Sequence, residues 1–172
     1  MLQIAGIILI MIATTLGGMY YANAPIFRIK DLKVIKKALM ILHSEISYAY
    51  TPLPIAMDNI ASRIESPINN IFADCAESLR QKTGQDITDI WADTLEKHTT
   101  STYLTREDMD YLKSFGKTLG YLDKEMQINS IAVTTKYIED KVEELSLTAS
   151  KNKRLYQTLG ILFGLLLVVA LW

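Results

Sequence analysis

The side chains of this sequence that could do chemistry are few and scattered. His43, His98 and the single cysteine, Cys75, stand at separations that match no zinc-ligand spacing. His98 falls at the end of a helical pattern, where an imidazolium would complement the helix dipole. Cys75 lies on an apolar stripe with no cationic neighbour, the setting of an inert packed thiol. Phe115-Gly116-Lys117-Thr118 contains the Gly-Lys-Thr of a phosphate-binding loop. That loop also needs a glycine five residues earlier, after a strand, and here Tyr111 holds the position within a helical pattern. Asp108/Asp110 and Glu143/Glu144 read as a solvated helix start and a solvated helix face. No catalytic, metal-binding or cofactor-binding residue is therefore assigned, and the reading is of a protein that is not an enzyme. A hydrolase would require Asp123, His43 and Cys75 to meet in one pocket.

Contact surface is what the residues offer instead. Gly160 and Gly164 form a GxxxG step, and Ala13/Gly17 and Thr14/Gly18 form small-xxx-small steps, spacings that permit close helix approach within lipid. Tyr48, Tyr50, Tyr103 and Tyr111 are candidate aromatic anchors or core residues.

The elements that must position these groups follow from charge and hydropathy. All 18 Lys and Arg and all 19 Asp and Glu lie between Arg28 and Arg154. The apolar runs outside them, 2–21 and 155–172, have lengths suited to crossing a hydrocarbon layer of about 30 Å as helices. Ala22-Asn23-Ala24 imitates a signal-peptidase site. The long run, the lack of a preceding cation and Pro25 just after the cut favour an uncleaved anchor. Arg28, Lys30, Lys33, Lys36 and Lys37 follow the first run, and Lys151, Lys153 and Arg154 precede the second. Such collars keep the middle segment cytoplasmic and favour anionic headgroups. Residues 38–150 hold 10 Lys and Arg against 18 Asp and Glu, a net charge of −8. That surface repels nucleic acid and suits a basic protein partner. One cysteine allows no internal disulfide and fits a reducing compartment.

The pattern between the runs is helical throughout. After a break expected at Pro25, Leu32, Ile35, Leu39, Leu42, Ile46 and Ala49 paint one stripe, which Thr51-Pro52-Leu53-Pro54 stops. A short helix from Pro54 turns Ile55, Ile60, Ala61 and Ile64 inward. Ser66-Pro67 signals the next start, capped by the serine, with Ile68, Ile71, Phe72, Cys75, Ala76 and Leu79 buried. Thr83-Gly84-Gln85 is a turn, and Ile87, Ile90, Trp91, Thr94, Leu95 and His98 mark a fourth helix that ends at 99–102. Thr105 and Asp108 form a capping box, with Leu104 and Met109 as its staple. Leu112, Phe115 and Leu119 supply the core face, Gly116 thins the wall, and Gly120 ends the helix. Gly116 and Gly120 share one face and are expected either to admit another backbone or to turn the chain into the last helix. From Leu122 onward one helix of up to about 50 residues, roughly 75 Å, runs into the second apolar segment.

The expected fold is all-α: a compact cytoplasmic bundle of about six helices, 25–154, between transmembrane helices at 1–24 and 155–172, the last helix continuous with its span. Glu45-Ile46, Tyr48, Thr51-Pro52-Leu53, then Leu112, Phe115-Gly116, Leu119-Gly120 and Asp123, with the Leu-rich C-terminal helix, resemble the stage III sporulation protein AB family of endospore-forming bacteria. The similarity spans the whole chain. Lys117 departs from the acidic residue of the family pattern. The resemblance implies a role in the channel-like apparatus joining mother cell and forespore, a membrane location in the mother cell, and a need for the protein in spore formation. It implies similarity to the helical domain of the type II secretion and type IV pilus platform protein. Its implied partners are the apparatus ATPase, stage III sporulation protein AA, and the other membrane components, with self-association possible in such assemblies. Glu45, Tyr48, Pro52, Phe115, Gly116, Gly120 and Asp123 are the structural or partner-contact candidates it singles out. Gly17, Gly18, Gly160 and Gly164 are the candidates for packing within the membrane. A membrane-tethered adaptor or sensor for a small ligand is the alternative reading.

Overall fold

A computed structural model describes residues 2–49, 51–81, 84–120 and 123–171; side chains before 23 and after 148 are described only at Gly17, Thr158 and Leu162. Six α-helices and no strand occur among the described residues: α1 Leu2–Ser44, α2 Leu53–Ala61, α3 Ile68–Arg80, α4 Ile87–Lys97, α5 Arg106–Gly116 and α6 Lys124–Leu171. A π-turn, Glu45–Ala49, follows α1 and a 3-10 turn, Thr99–Ser101, follows α4. The chain divides into two units, Arg28–Val142 and a second made of Met1–Phe27 with Glu143–Trp172.

Among the described residues no helix is long and apolar enough to cross a membrane. The expected spans at 2–21 and 155–172 fall largely on residues whose side chains lie outside the described set, as do Gly18, Gly160 and Gly164. A Cβ on Gly17 would meet no described atom within 4 Å. The break expected at Pro25 does not occur. α1 continues through it, although proline there removes one i→i−4 hydrogen bond.

The bundle unit is built from amphipathic helices that each hide one stripe. Leu32, Ile35, Leu39 and Leu42 of α1 are buried, together with Ile68, Ile71, Phe72, Cys75 and Ala76 of α3 and Ile87, Ile90, Trp91 and Leu95 of α4. Ile131 and Ile138 of α6 join them. At the heart of this core the Trp91 ring lies 5.5 Å from Phe72 and meets Phe115 edge-on at 6.3 Å, geometries that the aromatic quadrupole favours. Ion pairs bind neighbouring helices from outside: Asp58 to Arg80, Asp74 to Lys97, Glu96 to Lys113, Glu107 to Lys141 and Lys36 to Glu139. Each stabilises weakly at the surface; together they engage five of the 18 carboxylates of residues 38–150.

Local signals explain where the helices begin. Thr105 caps α5 in a capping box: the Asp108 N–H donates to Thr105 Oγ1, and the Thr105 N–H donates to Asp108 Oδ2 at 2.8 Å. Leu104 and Met109 are both buried beneath it, as a staple requires. Asp123 caps α6, accepting from the Met126 N–H at 2.9 Å. Ser66 provides no cap; α3 begins at Ile68 after Pro67 with no side-chain bond at its start. Gly84 takes φ +78° in the turn before α4, the left-handed conformation that costs glycine least. Gly120 does not end α5, which stops at Gly116 and passes into turns over 117–120.

Candidate functional site

The residues singled out by sequence gather in two places in the bundle unit. The first surrounds the π-turn. The expected stripe reaches only Leu42, because each residue of an i→i+5 turn rotates less than in an α-helix and the register falls behind. Ala49 is consequently exposed while Glu45 is buried. The Glu45 carboxylate accepts from Thr51 Oγ1 at 2.6 Å and Asn59 Nδ2 at 3.1 Å, and the Thr51 N–H donates to the Glu45 carbonyl at 3.2 Å. Glu45 thus fastens the end of α1 to α2. Pro52, exposed, sits just before α2, with Pro54 in its first turn where a missing N–H costs nothing. Lys124, the first residue of α6, donates to the Ser47 carbonyl at 2.7 Å. Asp123 and the π-turn therefore lie at one end of the α1–α6 pair. Tyr48 is 81% exposed there.

The second place is the contact of α4 with the end of α5. A Cβ on Gly116 would fall 2.2 Å from Trp91 Cδ1, and one on Gly120 would fall 2.2 Å from Ile87 Cγ2. The two glycines admit two side chains of α4, not a second backbone. The Trp91 indole Nε1 then donates to the Leu112 carbonyl at 2.7 Å, satisfying a donor that burial would otherwise leave costly. Phe115 is packed into the same cluster. The corner expected between α5 and α6 includes Tyr121 and Leu122, which lie outside the described residues.

In a third cluster the sequence pointed to Arg28 for a collar and Asp108 for a cap, with no sign that the two would meet. Arg28 of α1 holds Asp108 of α5 through two bonds of 2.8 Å, so the same carboxylate serves cap and ion pair. Burial pushes the Asp108 carboxyl upward, but the guanidinium and the Thr105 donors outweigh it and leave it below the usual carboxylate range. One helical turn further, the buried Asp31 accepts from the Tyr103 N–H at 2.8 Å. Burial raises that carboxyl, with the Tyr103 bond and Lys30 opposing. Arg28 belongs to the set expected to form a cationic collar, yet it is directed into protein. Lys30 and Lys36 also pair with carboxylates, Glu65 and Glu139.

The groups that could do chemistry stay apart. Cys75 is fully buried and its thiol is pushed up to about 12 by burial. His98 caps the end of α4 and its Nε2 meets Asp74 at 2.9 Å. His43 lines an open groove of 490 Å³ with Met40, Ser44, Tyr48, Thr135 and Glu139, and neither Cys75 nor Asp123 is among its walls. Among the described residues no group of His, Cys, Asp and Glu could hold a metal ion. Of the tyrosines, Tyr111 stacks on Tyr137 at 3.7 Å, Tyr103 is exposed, and Tyr50 lies outside the described residues.

Comparison with known proteins gives one consistent result. A family model described as "Stage III sporulation protein AB" matches residues 3–172. The chain is similar to "Stage III sporulation protein AB" of Bacillus subtilis (strain 168), 30% identical over 171 residues, covering 99% of each chain. It also resembles a solved structure titled "Stage III sporulation protein AB (SpoIIIAB)", with a TM-score of 0.67 and 25% identity over 72% of this chain and 97% of that one.

Proposed function

Because the chain belongs to the stage III sporulation protein AB family, and so to spore formation, we propose that it is a structural platform of the mother cell–forespore apparatus. In this reading the apolar segments 2–21 and 155–172 anchor it in the mother-cell membrane. The helical unit faces the cytoplasm and docks the apparatus ATPase, stage III sporulation protein AA, alongside the other membrane components.

The observation that carries the reading is the family match across almost the whole length of the chain. Three physical features support it. The charged residues are confined between two apolar runs, with Lys and Arg at the inner flank of each, the distribution that retains a segment in the cytoplasm. The net charge of −8 over 38–150 favours a basic docking surface through long-range steering. The helices are stitched at the core and by ion pairs, which suits a scaffold that presents a fixed surface.

The test is binding of the purified protein to the ATPase subunit across a salt series. Saturable binding that weakens as salt rises is expected. Absence of binding, combined with stabilisation by a small molecule in a thermal-shift screen, would favour a membrane-tethered sensor instead.

A further inference from the structure

Within the bundle unit, α1 and α6 run antiparallel and leave a trough between them. Two cross-ties fix its length and register. Lys36 Nζ meets Glu139 at 2.7 Å at one end, and Lys124 Nζ meets the Ser47 carbonyl at 2.7 Å at the other. Between residues 124 and 139 α6 advances about 22 Å, four helical turns. Met40, His43 and Ser44 of α1 with Tyr48 of the π-turn form one wall, while Ile131, Ala132, Thr135 and Lys136 of α6 form the other.

The shape fits a third helix. Small residues occupy the middle, Ser44 on one wall and Ala132 and Thr135 on the other, so a ridge of bulky side chains can sink between them. Met40 is 56% and Tyr48 81% exposed. An adaptable thioether and a flat aromatic, both largely exposed, therefore stand about two turns apart along α1 and the π-turn that follows it.

Charge sets the direction of an occupant. Lys33 and Lys37, both exposed, flank the Lys36 tie; Asp123 and Glu125, both exposed, flank the Lys124 tie. The carboxylates at the first end, Glu139 and Asp140, are met by Lys36 and Lys136, so Lys33 and Lys37 leave that end net cationic, while Asp123 and Glu125 against Lys124 leave the other net anionic. A helix carries roughly half a positive charge at its N-terminus and half a negative charge at its C-terminus. A second copy of this chain would bring the same acidic bundle surface against this one, and like charge disfavours it.

We infer that the trough between α1 and α6 is the docking groove for one amphipathic helix of a partner protein, lying parallel to α6 with its N-terminal end beside Asp123 and Glu125 and its C-terminal end beside Lys33 and Lys37. The groove itself stands on geometry; taking the partner to be the ATPase rests on the platform reading above.

The test uses the full-length protein and two helical peptides of about 16 residues with one leucine stripe each. One carries basic residues in its N-terminal half and acidic residues in its C-terminal half; the other carries the same charges reversed. The first peptide is expected to bind about tenfold more tightly. Ala132→Trp and Tyr48→Asp, both at exposed positions, should abolish that preference without lowering the melting temperature. Equal binding of the two peptides, or binding of neither, overturns the inference. So does a change in assembly mass with Ala132→Trp, which would make a second copy the occupant. If the ATPase binds wild type and both variants alike, it is not the occupant of the groove, the platform reading stands, and the peptide pair decides the groove. If the ATPase binds none of them, the platform reading fails and the peptide pair alone decides the groove.

Discussion

The Trp91 indole fills the space that a side chain on Gly116 would need, with 2.2 Å between its Cδ1 and the position of a Cβ. The same ring reaches past the glycine to donate to the Leu112 carbonyl. One residue's missing side chain and another's hydrogen bond are therefore a single device. Four residues on, Gly120 repeats the arrangement with Ile87, itself four residues before Trp91.

Gly116→Ala should destabilise the protein by about 2–3 kcal/mol, because overpacking displaces a rigid ring and orphans its N–H. Gly120→Ala should cost less when Ile87 is also reduced to Ala. Thermal denaturation of single and double variants in a mutant cycle measures the coupling. Fully additive effects at Gly120 and Ile87 would show that the two do not share the space.

Asp108→Asn should cost about 2–3 kcal/mol by leaving Arg28 without its charge partner. The sign with pH follows from the depressed folded-state carboxyl. Its contribution is complete above the ordinary carboxylate value and is lost as pH falls through the lower folded-state value. The wild type should therefore lose stability on acidification below about pH 4 more steeply than the variant. Acid titrations of unfolding free energy compare them.

Asp31 has the opposite sign. Its carboxyl is raised by burial, so its contribution is most favourable below the ordinary value and is lost as pH rises through the folded-state value. Asp31→Asn, which keeps an acceptor for the Tyr103 N–H, should leave the protein as stable or more stable at neutral pH. A large loss on chemical denaturation would contradict this.

Asp123→Ala should cost about 1 kcal/mol through loss of the α6 cap, and Asp123→Asn should restore most of it. Circular dichroism melts distinguish the two.

Cys75 should resist a thiol reagent at pH 8 in the folded protein and react at once in denaturant, because its thiol is buried and pushed up to about 12. Fast labelling of the native chain would mean that α3 opens readily.

The sequence alone determined whatever lies within one or two helical turns. The Thr105/Asp108 box with its Leu104 and Met109 staple, the stripes of α3 and α4, and the inert setting of Cys75 were all readable, since capping and helical periodicity depend on neighbours three and four residues away. The family resemblance was readable too, from the motifs that end α1 and α5. Only the tertiary structure decided that Arg28 grips a carboxylate 80 residues distant, that Glu45 turns inward at a π-turn, and that Gly116 and Gly120 make room for α4. Such contacts arise where packed helices meet. Periodicity says which face a helix hides and nothing about which residue of another helix will lie against it.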